Sequence, residues 1–445
     1  MQPEVVNGVD AVNTAVWRYP RLSRALFVAA LGLLMAWGVG TLIGAKDPET
    51  MRASVMLSVL VLVTLLLFWL VSRADPRSSS LLIILWLSFG LKLLAMAFRF
   101  YGGLLADAYA YNAAGRRIAE QLVRGEWPEG IRYFGTEFVR LVTGLVYYST
   151  GVTFYGISIL WTWLGLLGML FFYLAFRTAF PDGNRRLYMA LVFLYPSMLL
   201  WTSSLGKDAL MIFCLGMAVY GAVRVQRRLS AAGLLWLALG TVGMLMIRPH
   251  LAAVFAVAFG ASAIIRPVRA GYLSPVVRIV ALSTVAALCI FVVRTASGYV
   301  GLEGLGPEEI FGFIEERQER SERGGAAFEQ TDPRTPVGFA LAIPTVLFGP
   351  FPWEAHNTNA QIASMEGLGL LALLVYRRRS VGAAFRATSR NSQLLLVGVF
   401  VLLFIFFFSA IANFGIIARQ RAQVFPFVFM WIAFLGRPDD TGRSA

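Results

Sequence analysis

Gln393-Leu-Leu-Leu-Val-Gly-Val-Phe-Val-Leu-Leu-Phe-Ile-Phe-Phe-Phe-Ser-Ala-Ile-Ala412 runs from end to end without a charged residue. Wound as a helix at about 1.5 Å per residue, it is as long as the hydrocarbon core of a bilayer is thick. A helix apolar on every side belongs in lipid or at the centre of a large core, not on a wetted surface. Similar runs occupy Ala53–Val71, Leu81–Phe98 and Tyr155–Phe176. Another, Ala25–Ala45, is too long and too unlike a cleavage site to be a removed signal peptide.

Composition agrees with these runs. The chain has 445 residues, 58% apolar and 14% charged, with a mean hydropathy of +0.68. A soluble domain this apolar has too little polar surface to cover its core, whereas a bundle of spanning helices needs the excess. The expected fold class is therefore an all-α polytopic membrane protein with about twelve transmembrane helices. The spans are expected over 25–45, 53–72, 80–98, 154–176, 187–204, 208–223, 231–247, 250–265, 276–296, 359–376, 393–412 and 421–436. The organisation is then a cytoplasmic N-terminus (1–24), three spans (25–98), a long outer segment (99–153), spans four to nine (154–296), a second outer segment (297–358), spans ten to twelve (359–436) and a cytoplasmic tail (437–445).

A net charge of +14 would suit a nucleic-acid partner, but its placement argues for topology instead. Arginine groups recur on alternate loops: Arg18/Arg21/Arg24, Arg73/Arg77, Arg177/Arg185/Arg186, Arg224/Arg227/Arg228, Arg266/Arg269/Arg278, Arg377/Arg378/Arg379 and Arg437/Arg443. That asymmetry is the positive-inside pattern and sets both termini in the cytoplasm. Cys214 and Cys289 both sit in apolar runs and read as packing residues.

The outer segments hold the unusual residues. After Gly102-Gly103 and Asp107, the residues Tyr111, Ala114, Ile118 and Leu122 recur at helical spacing, with Arg116, Arg117, Glu120, Gln121 and Arg124 opposite. This predicts an amphipathic helix lying in the membrane interface. Phe138–Tyr148, carrying Arg140 and interrupted by Gly144, reads as a short re-entrant stretch. In the second segment Pro307–Arg323 predicts a charged helix, and Phe339–Phe348 is too short to cross. The proline-punctuated Gly349–Asn357 is expected to line a cavity, because irregular backbone at that depth needs protein or water around it.

The candidate site residues follow from these placements. Asp107 suits a catalytic base at the membrane surface, or a helix cap. Lys207 and Asp208 open the sixth span, where they can pair with each other or present an ammonium to phosphate. Arg248 and His250 flank Pro249 at an almost loopless junction. Arg294, Arg419 and Arg421 fall on the same side, and convergent planar guanidinium groups suit phosphate oxygens. Trp353, Glu354 and His356 could stack on a sugar and do acid–base work, or anchor the loop at the interface. Lys92, near the outer end of its span, is close enough to reach the same cavity or to snorkel outward. No Cys/His cluster has zinc spacing, and no glycine-rich nucleotide loop is present.

Taken in order, Asp107-Ala108-Tyr109 after an early span, the amphipathic helix, the short apolar segment, a span, an arginine-bearing loop and Pro196-x-x-x-x-Trp201-x-Ser203-Ser204-x-x-x-Asp208 resemble the GT-C superfamily of integral-membrane glycosyltransferases. The resemblance is especially to the bacterial branch related to dolichyl-phosphate-mannose mannosyltransferases. The resemblance spans roughly Gly102 to Arg228. It implies that Asp107 is the catalytic base or a metal ligand, that Tyr109 lies beside it, and that the donor is a sugar on a polyprenyl phosphate. It also implies transfer to a glycan or lipid acceptor outside the plasma (inner) membrane, in cell-envelope polysaccharide synthesis. No organic cofactor is implied; a divalent cation shared by Asp107 and Asp208 is one option. Two departures accompany it: a single acid stands where family members often have two, and no long segment follows the last apolar run. Two other functions fit the same outer arginines, an O-antigen-type polymerase or ligase using pyrophosphate-linked saccharides, and a transporter of lipid-linked saccharides.

Overall fold

The computed structural model describes residues 47–74, 79–130, 133–265, 275–300, 335–409 and 413–435, with the isolated positions 308, 309, 312 and 411. The expected first span at 25–45, the segments 1–24 and 437–445, and nearly all of the helix expected over Pro307–Arg323 lie outside the described residues.

The described residues are helical throughout, without strands. In chain order the helices are α1 (Pro48–Ala74), α2 (Ser79–Tyr101), α3 (Ala106–Val123), α4 (Thr136–Thr150), α5 (Phe154–Ala179), α6 (Arg185–Leu194), α7 (Pro196–Trp201), α8 (Lys207–Arg227) and α9 (Ala231–Ile247). They continue with α10 (Pro249–Ile265), α11 (Pro275–Val300), α12 (Pro336–Phe348), α13 (Thr358–Tyr376), α14 (Arg378–Thr388), α15 (Ser392–Phe408), α16 (Phe414–Gln420) and α17 (Phe425–Ala433). Among the described residues four helices, α1, α2, α5 and α8, are long and apolar enough to cross a membrane. A fifth crossing is possible if α14 and α15, bent by 105° at their junction, are taken together. Shorter apolar helices include α9 and α12.

Two expected spans are not continuous helices. The run expected over 187–204 breaks at Tyr195, which is extended (φ −67°, ψ 132°) before Pro196. A proline ring clashes with a helical predecessor and removes a ladder donor, so α6 stops and α7 starts afresh. The span expected over 421–436 is a 3₁₀ turn, Arg421–Gln423, followed by the nine residues of α17, too short to traverse the hydrocarbon. Both pieces are buried on every side, which explains an apolar sequence without a long helix.

The core centres on α8, whose most apolar stretch is 83% buried, against 33% for α1. Glycines let its backbone approach its neighbours. A Cβ on Gly168 of α5 would fall 2.5 Å from the Ile212 carbonyl, and one on Gly240 of α9 would fall 2.3 Å from the Ala218 nitrogen. Small residues at such seams are how helices associate where no hydrophobic drive separates lipid from protein.

The amphipathic helix forms as its periodicity requires. In α3, Tyr111, Ala114 and Ile118 are buried while Arg116, Arg117 and Glu120 are exposed. Its buried face meets α4, where a Cβ on Gly144 would collide with Ile118 Cγ2 at 2.3 Å. The Tyr147 hydroxyl donates to Asn112 Oδ1 at 2.6 Å across the same seam. The stretch expected to be re-entrant is thus one side of a helix pair. Both cysteines are free thiols.

Candidate active site

Four chain breaks bring polar side chains together. The first lies between α2 and α3, where Arg99 closes one helix and Asp107 stands in the first turn of the next. The second is the turn from α7 into α8, which places Asp208 at the start of a 21-residue helix, where the macrodipole favours a carboxylate. The third is Arg248, non-helical (φ −144°, ψ 86°) between α9 and α10; Pro249 follows as a first helical residue, a position that needs no N–H. The last is α16, capped by Asn413, whose Oδ1 accepts from the Gly415 and Ile416 amides, and carrying Arg419.

Asp208 is the hub. Its side chain is 3% exposed. Arg248 Nη2 donates to its Oδ1 at 2.7 Å, and Arg419 Nε donates to its Oδ2. Arg419 also reaches outward, its Nη1 donating to Asp107 Oδ2. Asp107 is 59% exposed and Arg419 24%, so one guanidinium ties a buried acid to an accessible one. The neighbouring Asp208 carboxylate raises the Arg419 pKa further and keeps it charged. Burial lowers that of Arg248, opposed by the same carboxylate. Burial, with Asp107 nearby, likewise raises the Tyr111 phenol.

Two cavities open on either side of the Asp107–Arg419 pair. The larger, about 640 Å³, is lined by Lys207, Arg248, His250 and Arg140, with Tyr111 and Tyr299. The smaller, about 170 Å³, is lined by Arg99, Trp201, Ser204, Gly206 and Asp208. Asp107 and Arg419 line both. The larger cavity carries more cations than acids, and Arg248 Nη1 is buried there without a hydrogen-bond partner. Its size is that of a typical ligand pocket. Ser204 holds a left-handed backbone at φ 137°, a strained conformation for a non-glycine residue and of the kind that persists at functional turns.

Of the residues expected from sequence, Asp107, Lys207, Asp208, Arg248, His250 and Arg419 meet here. The others do not line either cavity. Tyr109 packs its ring 5.1 Å from Phe154, and Arg294 is exposed on α11. Arg421 is fully buried, donates to the Leu347 carbonyl at 3.2 Å and sits over the Phe425 ring. Glu354 accepts from the Phe351 amide at 2.7 Å and so closes its own 3₁₀ turn. Trp353 stacks on Phe351, and His356 is exposed. The Gly349–Asn357 loop therefore lines neither cavity, because its short-range bonds fold it on itself. Lys92 is also elsewhere: fully buried, it donates to the Thr202 carbonyl at 2.9 Å and to its hydroxyl.

Arg99, Arg140, Tyr111 and Tyr299 were not anticipated as site residues. For Arg99 a signal existed, since it lies seven positions after Lys92 and so on the same helix face. A divalent ion between Asp107 and Asp208 would have to displace Arg419. Among the described residues no three His, Cys, Asp or Glu side chains gather as a metal site would require. Comparison of the chain with protein-family models, with curated proteins and with solved structures found no match.

Proposed function

We propose that the protein is a membrane glycosyltransferase of GT-C type. It transfers a sugar from a polyprenyl-phosphate-linked donor to a hydroxyl of a glycan or lipid acceptor, at the outer face of the plasma membrane. The observation that carries this reading is the shared lining: Asp107 and Arg419 border both cavities, so a carboxylate and a guanidinium stand where two chambers of the site meet. The donor phosphate belongs in the larger chamber, against Lys207, Arg248 and Arg419. The acceptor approaches from the smaller one. Asp107 takes the acceptor's hydroxyl proton as the oxygen bonds to the anomeric carbon. The bond from that carbon to the phosphate oxygen breaks, and its electron pair leaves with the lipid phosphate. Preorganised arginines stabilise the charge that grows there. Exposure of Asp107 suits a base that must meet substrate, and its link to Arg419 holds it where the two chambers meet.

The same proposal includes the finer topology: about twelve crossings, both termini cytoplasmic, and the site outside. The four long apolar helices support the coarse part of it. A second reading, a polymerase or ligase acting on pyrophosphate-linked saccharides, is favoured by one observation, the spare guanidinium nitrogen of Arg248 beside Lys207 and Arg140 in a chamber with room for two phosphates.

The deciding experiment is transfer from a panel of radiolabelled polyprenyl-linked sugars by the purified chain and its Asp107→Asn variant. Turnover of a monophosphate-linked monosaccharide is expected, reduced about 10²- to 10⁴-fold in the variant, the usual range for a lost general base. Turnover restricted to pyrophosphate-linked oligosaccharides and indifferent to Asp107 would favour the second reading.

A further inference from the structure

We infer that the smaller cavity is a subsite for a sugar carrying an anionic group, a carboxylate or a phosphate ester. Calling its occupant the acceptor rests on the transfer reaction proposed above; the anion preference does not.

The cavity holds about 170 Å³, five or six waters at roughly 30 Å³ each, which is the scale of one sugar ring rather than a lipid-linked oligosaccharide. Trp201 also lines it, with the Arg99 guanidinium over its ring at 5.7 Å from the centroid. Two long helices, α3 and α8, begin at its wall through Leu105 and Gly206, and neither has a side-chain cap. Their first-turn N–H groups and positive dipole ends therefore bear on one small space, an arrangement that favours anions.

Buried side chains point the same way independently. Ser204 is 3% exposed and Arg99 6%, both line the cavity, and both keep a polar atom without a partner, Ser204 Oγ and Arg99 Nε. A buried donor left unmatched is costly, so the site gains when a small side-chain rotation turns these two toward an acceptor of hydrogen bonds in the cavity. Arg99 spends its other nitrogens on the carbonyls of Leu104, Leu200, Trp201 and Ser203, and among the described residues it makes no ion pair. The carboxylates of the cavity do not cancel it. Asp107 is engaged by Arg419, and Asp208 by Arg419 and Arg248. What remains unmatched is positive.

The test is calorimetric binding of three probes to the full chain in nanodiscs: methyl glucuronide, glucose 6-phosphate and methyl glucoside. At least one acidic probe is expected to bind about tenfold more tightly than the neutral glucoside, equivalent to one charge-assisted hydrogen bond. Which of the two it is separates a carboxylate from a phosphate ester. Ser204→Ala and Arg99→Lys should each reduce that affinity about fivefold or more, the lysine variant keeping the charge but losing the guanidinium fork. Equal binding of neutral and acidic probes, or acidic binding unchanged in Ser204→Ala, overturns the inference. Hydrolysis of a labelled polyprenyl-phosphate sugar, followed without acceptor, reports separately on the transfer reading. Acidic binding without donor turnover would leave the subsite standing and remove the transferase, and donor turnover with no preference for acidic probes would do the reverse.

Discussion

The two ends of α7 carry the molecule's most unusual charges and treat them differently. At its start, Glu366 of α13 accepts from the Ser197 amide at 2.7 Å and from the Ser197 hydroxyl at 2.6 Å. Beyond its end, Lys92 and Arg99 donate to the carbonyls of residues 200–203. An acid at the N-terminus and cations at the C-terminus match the dipole of a segment too short to stand alone. The Glu366 end is closed off from the site: Arg421 lies within electrostatic reach of it but lines neither of the two cavities. The Arg99 end opens directly onto a chamber shared with Asp107 and Asp208. Buried charge is thus common to structural and functional regions, and access distinguishes them.

Three substitutions would sharpen or break that contrast. Asp208→Asn should have the largest effect. It leaves Arg248 and Arg419 without their common counter-charge, a loss of about 3–5 kcal/mol for a broken buried pair, read as a large fall in thermal stability together with lost turnover. Retained stability would mean that the arginines find another partner. Glu366→Gln should cost roughly 1 kcal/mol, because an amide still accepts from Ser197 but loses the charge, with transfer unaffected once folded protein is counted. A drop in turnover per folded molecule would move Glu366 into the site. Trp353→Ala, at an exposed residue stacked only on its loop neighbour, should change stability by no more than about 0.5 kcal/mol and leave donor affinity unchanged; weaker donor binding would bring the loop back as a binding element.

The apolar runs and the face of α3 were legible because each is a local periodicity. The candidate site was legible where a charged residue falls at or beside the end of an apolar run, as Asp107, Asp208 and Arg248 do. It failed for residues two positions apart. Asp107 and Tyr109, or Arg419 and Arg421, look like pairs in the sequence, yet about 200° of helical rotation separates them, and a side chain four residues on is the true neighbour. Hence Tyr111 rather than Tyr109 joins Asp107, and Arg421 turns into the core while Arg419 faces the cavities. The broken spans were missed for two reasons: Pro196 interrupts an otherwise apolar run, and burial rather than lipid makes 425–433 apolar. Arg140 and Tyr299 reach the site only through tertiary packing, and no local pattern announces them.

The bond between Arg419 and Asp107 joins positions 312 residues apart, and that between Arg419 and Asp208 positions 211 apart, whereas Arg248 lies only 40 residues from Asp208. During synthesis the first counter-ion for Asp208 therefore arrives with the very next helix, so the buried acid at the start of α8 gains a partner as soon as the α8–α9 hairpin closes. The second arrives only with Arg419 of α16, 211 residues after Asp208. A nascent or prematurely terminated chain holds the acid but not the guanidinium that links it to Asp107. The order of translation alone withholds a finished site from any incomplete copy.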